Sequence, residues 1–240
     1  IAADGAIGPD TLAILNTGAE ERTRTLAVNM ERRRWLARNP PATRIDVNVA
    51  AATLAYYRGG ELRDSRRVVV GQPGWETPQL GSPIYRLVAN PTWTVPKSIE
   101  EDEIAGRGAS YLRRNNMVRR DGWIVQLPGP DNALGRVKFD MLNDYAIYLH
   151  DTPERNLLEE DARYFSAGCI RLEDADRLGR WLLGGPLARD FDGPEQRIDL
   201  PKPVPIYITY VTARADAGGI ALGPDPYALD AGPIVLAQVD

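Results

Sequence analysis

The chain has 240 residues, of which 43% are hydrophobic and 26% charged, with a formal net charge of −4. That is the composition of an ordinary globular protein, long enough for one large domain plus an appendage. Acidic and basic residues are interspersed, so there is no electrostatic footprint for nucleic acid; one Cys excludes an intramolecular disulfide and the usual structural zinc sets, and one His excludes a three-His metal site.

No run approaches the apolar length of a membrane span, and no leader pattern is visible. The opening "IAADGAIGPDT" starts in mid-motif, so the missing leader says nothing about export. Residues 1–38 read as helical. Pro9 after Gly8 suits a helix start, and Ala19 to Ala37 lacks Gly and Pro and is rich in Glu, Arg and Leu. The basic run Arg32 to Arg34 is expected on a solvated face of that helix. "NPP" at Asn39 to Pro41 ends it.

From there the pattern turns to period two, with Ile45, Val47 and Val49 alternating with polar residues. Gly59-Gly60 between "TLAYYR" and "ELRDSRRVVVG" predicts a hairpin. Further strands are expected at "IYRLVA", "GWIVQL", "AIYLH" and "VPIYITYV". Pro and Gly punctuate them all, which suggests a mostly β domain with irregular connections. Residues 96–122 read as a polar, charged, locally helical excursion that could lie over a cleft. "GRGAS" at Gly106 to Ser110 is too incomplete for a dinucleotide loop, and no phosphate-cradling loop is present. A helix should follow the single Cys. Glu173 or Asp174 opens it, Ala175, Leu178, Trp181 and Leu182 form its stripe, and Gly184-Gly185 closes it. After Pro201 come one or two strands and a turn-rich end.

Cofactor-free chemistry, or none, is what remains, and the only imidazole and the only thiol, His150 and Cys169, share the stretch "HDTPERNLLEEDARYFSAGCIRLED". Alternation in "DYAIYLH" puts Tyr148 and His150 on one face of a strand and Tyr145, Ile147 and Leu149 on the other. His150 then ends the strand just before the turn-forming Asp151-Thr152-Pro153. Gly168 permits unusual φ values and close backbone approach. The N–H groups of Gly168 and Cys169 are candidate oxyanion donors. Arg171 shares the face of the thiol and suits a substrate carboxylate; the plainer alternative is an ion pair with Glu173 or Asp174. Together these make a Cys–His pattern of covalent catalysis. Asp151 should point away from the imidazole, so a backbone carbonyl is an equally good orienter for it.

"YLHDTPERNLLEEDARYFSAGCIRL" resembles the catalytic signature of the L,D-transpeptidases, the YkuD-type domain of bacterial cell walls. That signature has a His followed by Ser-His-Gly-Cys, an apolar residue, and Asn or Arg. Ser166, Gly168, Cys169, Ile170 and Arg171 match it. Ala167 departs from it, which leaves His150 as the only imidazole base. "ERRRWLA", "VNVAAATLAYY", "VVVGQPGWETPQL", "ANPTWTVPKSI", "PGPDNALGRVKFDMLNDYAIYLHDTP" and "PVPIYITYVTA" extend the resemblance to the larger, Gram-negative branch. "DGAIGPDTLAILN" resembles the end of a peptidoglycan-binding module.

The resemblance implies a mostly β (α+β) fold: a sandwich or barrel-like core with a few helices, an N-terminal helical segment and an inserted capping segment. It implies a module remnant at 1–18, a helical linker at 19–41, a catalytic domain at 42–215 capped by about 97–131, and a tail at 216–240. It further implies that Cys169 attacks the carbonyl of the third residue, a diamino acid, of a peptidoglycan tetrapeptide stem. His150 serves the departing D-Ala. The resulting thioester passes to an amine of another stem, giving a 3→3 cross-link, or to an envelope protein. Carbapenems and other β-lactams would react at the same thiol. Tyr148, Arg171, Ser166 and Trp93 are the expected substrate contacts, with no cofactor and no metal, in the periplasm or cell envelope. Two other readings stay open: an L,D-carboxypeptidase or other thiol hydrolase, and a catalytically inactive cell-wall-binding module, which Ala167 motivates.

Overall fold

Runs that alternate apolar and polar residues can bury only one face, and a sheet is the arrangement that satisfies many of them at once. The computed structural model describes residues 7–187, 193–216 and 218–232. Two helices come first, α1 (Pro9–Asn16) and α2 (Ala19–Arg34). Four strands follow, β1 (Arg44–Asn48), β2 (Thr53–Arg58), β3 (Glu61–Gly71) and β4 (Leu80–Ala89). Next is a smaller unit: β5 (Trp93–Thr94), α3 (Lys97–Ile99) running into a π-helical turn at Glu100–Ile104, α4 (Ala109–Arg114), β6 (Met117–Arg120) and β7 (Trp123–Gln126). Then come β8 (Val137–Met141), β9 (Leu149–His150), β10 (Tyr164–Ser166), β11 (Ile170–Leu172) and α5 (Ala175–Leu183). The long β12 (Gln196–Thr209) and the hairpin of β13 (Ala213–Asp216) and β14 (Gly219–Leu222) complete the order.

The main sheet runs β10-β3-β11-β9-β8-β4-β12-β1-β2, and β2 pairs back onto β3. That last pairing closes eight strands into a ring, with β10 added on the far side of β3. The mostly β, barrel-like core expected from the sequence is therefore what the chain forms. Closure leaves few open edges. Ile45, Leu54, Ile84, Phe139, Leu149 and Ile206 fill the interior, all fully buried. Each stabilises the fold by about 1.5–3 kcal/mol relative to exposure.

Local signals mark several elements. Gly59 and Gly60 take φ of +66° and +86°, the paired positive values a two-residue hairpin needs. Asp174 caps α5 by accepting the Arg177 N–H, and Gly184 closes it at φ +71°. Leu178 enters the core, and Trp181 stacks on Tyr56 with ring centroids 5.3 Å apart.

The structure corrects three expectations. First, α2 stops at Arg34, and Arg32 is not solvated. Its guanidinium pairs with Asp230 at 2.6 Å and lies over the Tyr210 ring, because α2 packs against the segment after β12. Second, the strand expected over "AIYLH" shrinks to Leu149–His150. Ala146 sits at φ +55°, and Asn143 folds the chain around its own side chain. Its carbonyl oxygen accepts from the N–H groups of Tyr145 and Ile147, and its amide donates to Ile147 O. Tyr145 is left exposed while Ile147 and Leu149 are buried. Third, "GWIVQL" belongs to a separate three-stranded sheet, β5-β7-β6, instead of the main one. The excursion at 96–122 thus has a sheet and a small core of its own, formed by Val95, Ile104, Met117 and Ile124. Gln126 ties it down, donating to Asn115 O and Asp131 O and accepting from the Ala133 N–H.

Residues 1–6 of the expected module remnant, and 217 and 233–240 of the expected tail, lie outside the described residues. Among those described, no helix is long and apolar enough to cross a membrane.

Candidate active site

The turn that carries the thiol is built by a glycine, a serine and a distant threonine. Gly168 sits at φ +102°, where a side chain is strained, and an added Cβ would lie 3.0 Å from Ile147 Cδ1. Within the turn, Ser166 Oγ donates to Cys169 O at 2.5 Å and accepts from the Gly168 N–H at 3.2 Å. Two expectations change here. Ser166 is buried and closes the turn instead of facing a substrate. The Gly168 N–H is occupied, so the Cys169 N–H, which has no partner among the described hydrogen bonds, is the donor left for an oxyanion.

Outside the turn, buried Thr77 Oγ1 donates to Gly168 O and accepts from the Gly71 N–H, both at 2.8 Å. Gly71 O in turn accepts from the Tyr227 hydroxyl at 2.6 Å. The 72–76 loop is pinned by this chain of bonds and forms the wall beside the nucleophile. Trp75 O and Glu76 O lie within 3.7 Å of where a Gly168 Cβ would stand. The sequence reading missed Thr77: it lies 91 positions from Gly168, and nothing local marks the pairing.

Strand register brings the other groups together. β11 runs parallel to β9, pairing Ile170 with Leu149 and Arg171 with His150. Cys169 therefore comes beside Tyr148, and His150 lies one diagonal step further on, within reach across neighbouring strands. No hydrogen bond joins the thiol to the imidazole among the described contacts; catalytic bonds often tighten only when substrate is present. His150 is buried, and its Nδ1–H donates to Asp151 O at 2.5 Å. That bond fixes the neutral tautomer and leaves Nε2 as the proton acceptor. The Asp151 carboxylate is engaged elsewhere, accepting from the Arg136 N–H and from Arg155. The orienting group is thus the backbone carbonyl.

Burial, followed by the Arg171 and Lys138 charges, pushes the imidazole down to about 3. Burial pushes the Cys169 thiol up. Tyr148, through its N–H and hydroxyl, and the charges of Lys138 and Arg171 oppose that shift. The resting pair is therefore a thiol and a neutral imidazole, and the proton has to move as the sulfur attacks.

The remaining expected residues sit as follows. Arg171 pairs with Glu154 and not with Glu173 or Asp174; Glu173 instead binds Arg67 at 2.9 Å. Tyr148 is half-buried, its ring 5.7 Å from that of His150 and 4.2 Å beneath Lys138 Nζ. Trp93, also half-buried, packs against the small core of the excursion. With Tyr148 it lines a cavity of about 340 Å³ that also holds Lys138 and Asp140. A larger cleft of about 670 Å³ at the start of α5 includes neither Cys169 nor His150. Among the described residues no three His, Cys, Asp or Glu side chains gather as a metal set.

Comparison with known proteins identifies the family of the chain. The YkuD model, which describes the L,D-transpeptidase catalytic domain, matches residues 42–206. A Haemophilus influenzae protein provisionally named an L,D-transpeptidase is 32% identical over 238 residues, covering 87% of this chain and 48% of that protein. The chain thus spans about half the length of that curated relative. Among solved structures, L,D-transpeptidase 3 of Mycobacterium tuberculosis is 12% identical with a TM-score of 0.42, over 70% of this chain and 61% of that one. The catalytic domain of an E. faecium L,D-transpeptidase acylated by ertapenem is 15% identical with a TM-score of 0.39, over 71% of this chain and 98% of that one.

Proposed function

We propose, from the premise that this chain belongs to the YkuD family of L,D-transpeptidase catalytic domains, that it is a cysteine-dependent acyltransferase acting on peptidoglycan stems in the cell envelope. The observation that carries the reading is the Ser166–Cys169 turn lying against β9, where the Asp151 carbonyl holds His150 in one tautomer.

The Cys169 sulfur attacks the carbonyl carbon of the third stem residue while His150 Nε2 takes the thiol proton. The carbonyl oxygen gains negative charge, which the Cys169 N–H is placed to receive. Collapse breaks the bond to the terminal D-Ala, whose amine leaves with the proton from His150. A thioester remains on Cys169. An amine then attacks it, His150 takes that proton, and the thiol is regenerated. A stem amine as acceptor gives a 3→3 cross-link, and an amine of an envelope protein gives anchoring. A carbapenem enters the same sequence at its lactam carbonyl and stays bound, because its leaving amine remains tethered. Tyr148, Trp93 and Arg171 line the approach for the donor.

The test is incubation of the protein with disaccharide-tetrapeptide, followed by mass spectrometry. Release of D-Ala with a cross-linked dimer is expected, and neither should form with Cys169→Ala. Product with water as the only acceptor would make the protein a carboxypeptidase. Binding to sacculi with no product from either form would overturn the enzymatic reading.

A further inference from the structure

The wall beside the nucleophile is held from two sides. On one side Thr77 Oγ1 bridges the Gly71 N–H and Gly168 O. On the other, the Tyr227 hydroxyl donates to Gly71 O at 2.6 Å and accepts from the Thr77 N–H at 3.3 Å. One hydroxyl thus joins the first and last residues of the loop at 71–77, and the last of these holds the carbonyl beside Cys169.

Tyr227 comes from the segment after β14, and that segment is itself fixed. The Tyr227 ring stacks on Tyr210 with centroids 5.3 Å apart and meets Tyr164 edge-on at 6.5 Å. Its N–H donates to the Tyr210 hydroxyl at 2.9 Å, which donates to Asp225 at 2.5 Å. The Asp225 carboxylate also accepts from the N–H groups of Leu229 and Asp230, closing 225–230 into one turn.

The far end of that turn is fastened to α2. The Asp230 carboxylate accepts from Arg32 at 2.6 Å and from the Thr212 hydroxyl at 2.7 Å. Asn29 exchanges two bonds with Thr212, and Arg24 donates to the carbonyls of Asp230, Ala231 and Gly232. Three side chains of α2 therefore grip a segment whose other end grips the wall of the thiol turn. Every link between them is a directional hydrogen bond or a stacked ring, so a shift of α2 has a continuous physical route to Gly168 O.

We infer that residues 225–232 are a strap that sets the Cys169 turn according to the position of α2, with Tyr227 as its positioning residue. The inference rests on the proposed role of Cys169 and adds a control on that role. Tyr227 acts through Gly71 and Thr77 and takes no part in bond making.

Tyr227→Phe keeps the stacked ring and removes only the hydroxyl. Two measurements on the intact protein read its effect. In carbapenem acylation followed by intact mass, the maximal rate should fall roughly 3–10-fold, the scale of one neutral hydrogen bond, at an unchanged half-saturating concentration. Amide hydrogen exchange should quicken in peptides covering 71–77 and 166–170 and keep the parental rate in β4 and β12. Arg32→Met should give the same pattern in weaker form. Combined with Tyr227→Phe, it should slow acylation by less than the product of the two single effects. Parental acylation and parental exchange at 166–170 in Tyr227→Phe overturn the strap. A uniform rise of exchange over the barrel does so too, because the hydroxyl would then be merely structural. An Arg32→Met variant without effect, or effects that multiply fully, would uncouple α2 from the site and overturn the inference. A parent that the carbapenem does not acylate overturns the transpeptidase reading, and exchange at 166–170 then decides the strap by itself.

Discussion

Replacing Thr77 with Val isolates one hydroxyl group that the geometry makes responsible for the shape of the nucleophile turn. Val keeps the branched outline of Thr and removes only the group that accepts from the Gly71 N–H and donates to Gly168 O, both at 2.8 Å in a buried setting. Each backbone group left without its partner costs about 1–3 kcal/mol. The unfolding free energy should therefore drop by about 2–6 kcal/mol, read as a lower denaturant midpoint at unchanged slope. Gly168 would also lose the bond that fixes its carbonyl. If about 1.4–2 kcal/mol of the loss falls on the turn, acylation slows by roughly 10–30-fold. Intact-mass kinetics with a carbapenem measures that rate. Thr77→Ser restores the hydroxyl and should recover most of both quantities. A Val variant within about 0.5 kcal/mol of the parent, acylating at the parental rate, would show that this bridge does not hold the turn.

Two other outcomes follow from the same geometry. His150 is held down to about 3 from an ordinary 6.5, so between those values the unfolded chain binds more protons than the folded one. The stability this contributes is complete above pH 6.5 and is lost as the pH falls toward 3. Denaturation midpoints of the parent should drop across that window more steeply than those of His150→Gln, and equal slopes would count against a neutral buried imidazole. Acylation should show no break near 6.5 and should climb toward alkaline pH as the raised thiol ionises. Gly71→Ala places a Cβ 2.1 Å from Trp75 O and 2.6 Å from Thr77 N, both backbone atoms that cannot step aside alone. It should lower stability by about 2–4 kcal/mol by thermal melting; an unchanged midpoint would mean that the 72–76 loop relaxes freely.

The legible part of this molecule is its local chemistry. Paired glycines at 59 and 60, the Asp174 cap and the Gly184 stop each act within a few residues, and each marks a real boundary. The turn at Gly168 belongs to the same class, since its small residues point to a backbone that a side chain would not tolerate. The apolar half of β8 is legible by alternation. Val137, Phe139 and Met141 are buried at period two. The charged Lys138 and Asp140 between them look like loop composition, yet they line the cavity. Asn143 defeats alternation for a different reason. One side chain captures two N–H groups and two carbonyls and reverses the chain where the apolar pattern reads straight on. The fate of Ser166 and of the Gly168 N–H was not legible, because both outcomes depend on which donor reaches which acceptor inside a four-residue turn.

The bond from Tyr227 to Gly71 spans 156 positions, and its consequence concerns time. Contacts between residues so far apart in sequence pay a large entropy of chain closure and form late. The β2–β3 hairpin and α5 can form from neighbours alone, whereas the wall beside Cys169 has to wait for the segment after β14. The barrel itself closes through an equally distant pairing, Ile45 with Ile206, so the wall beside Cys169 and the scaffold that carries it mature together.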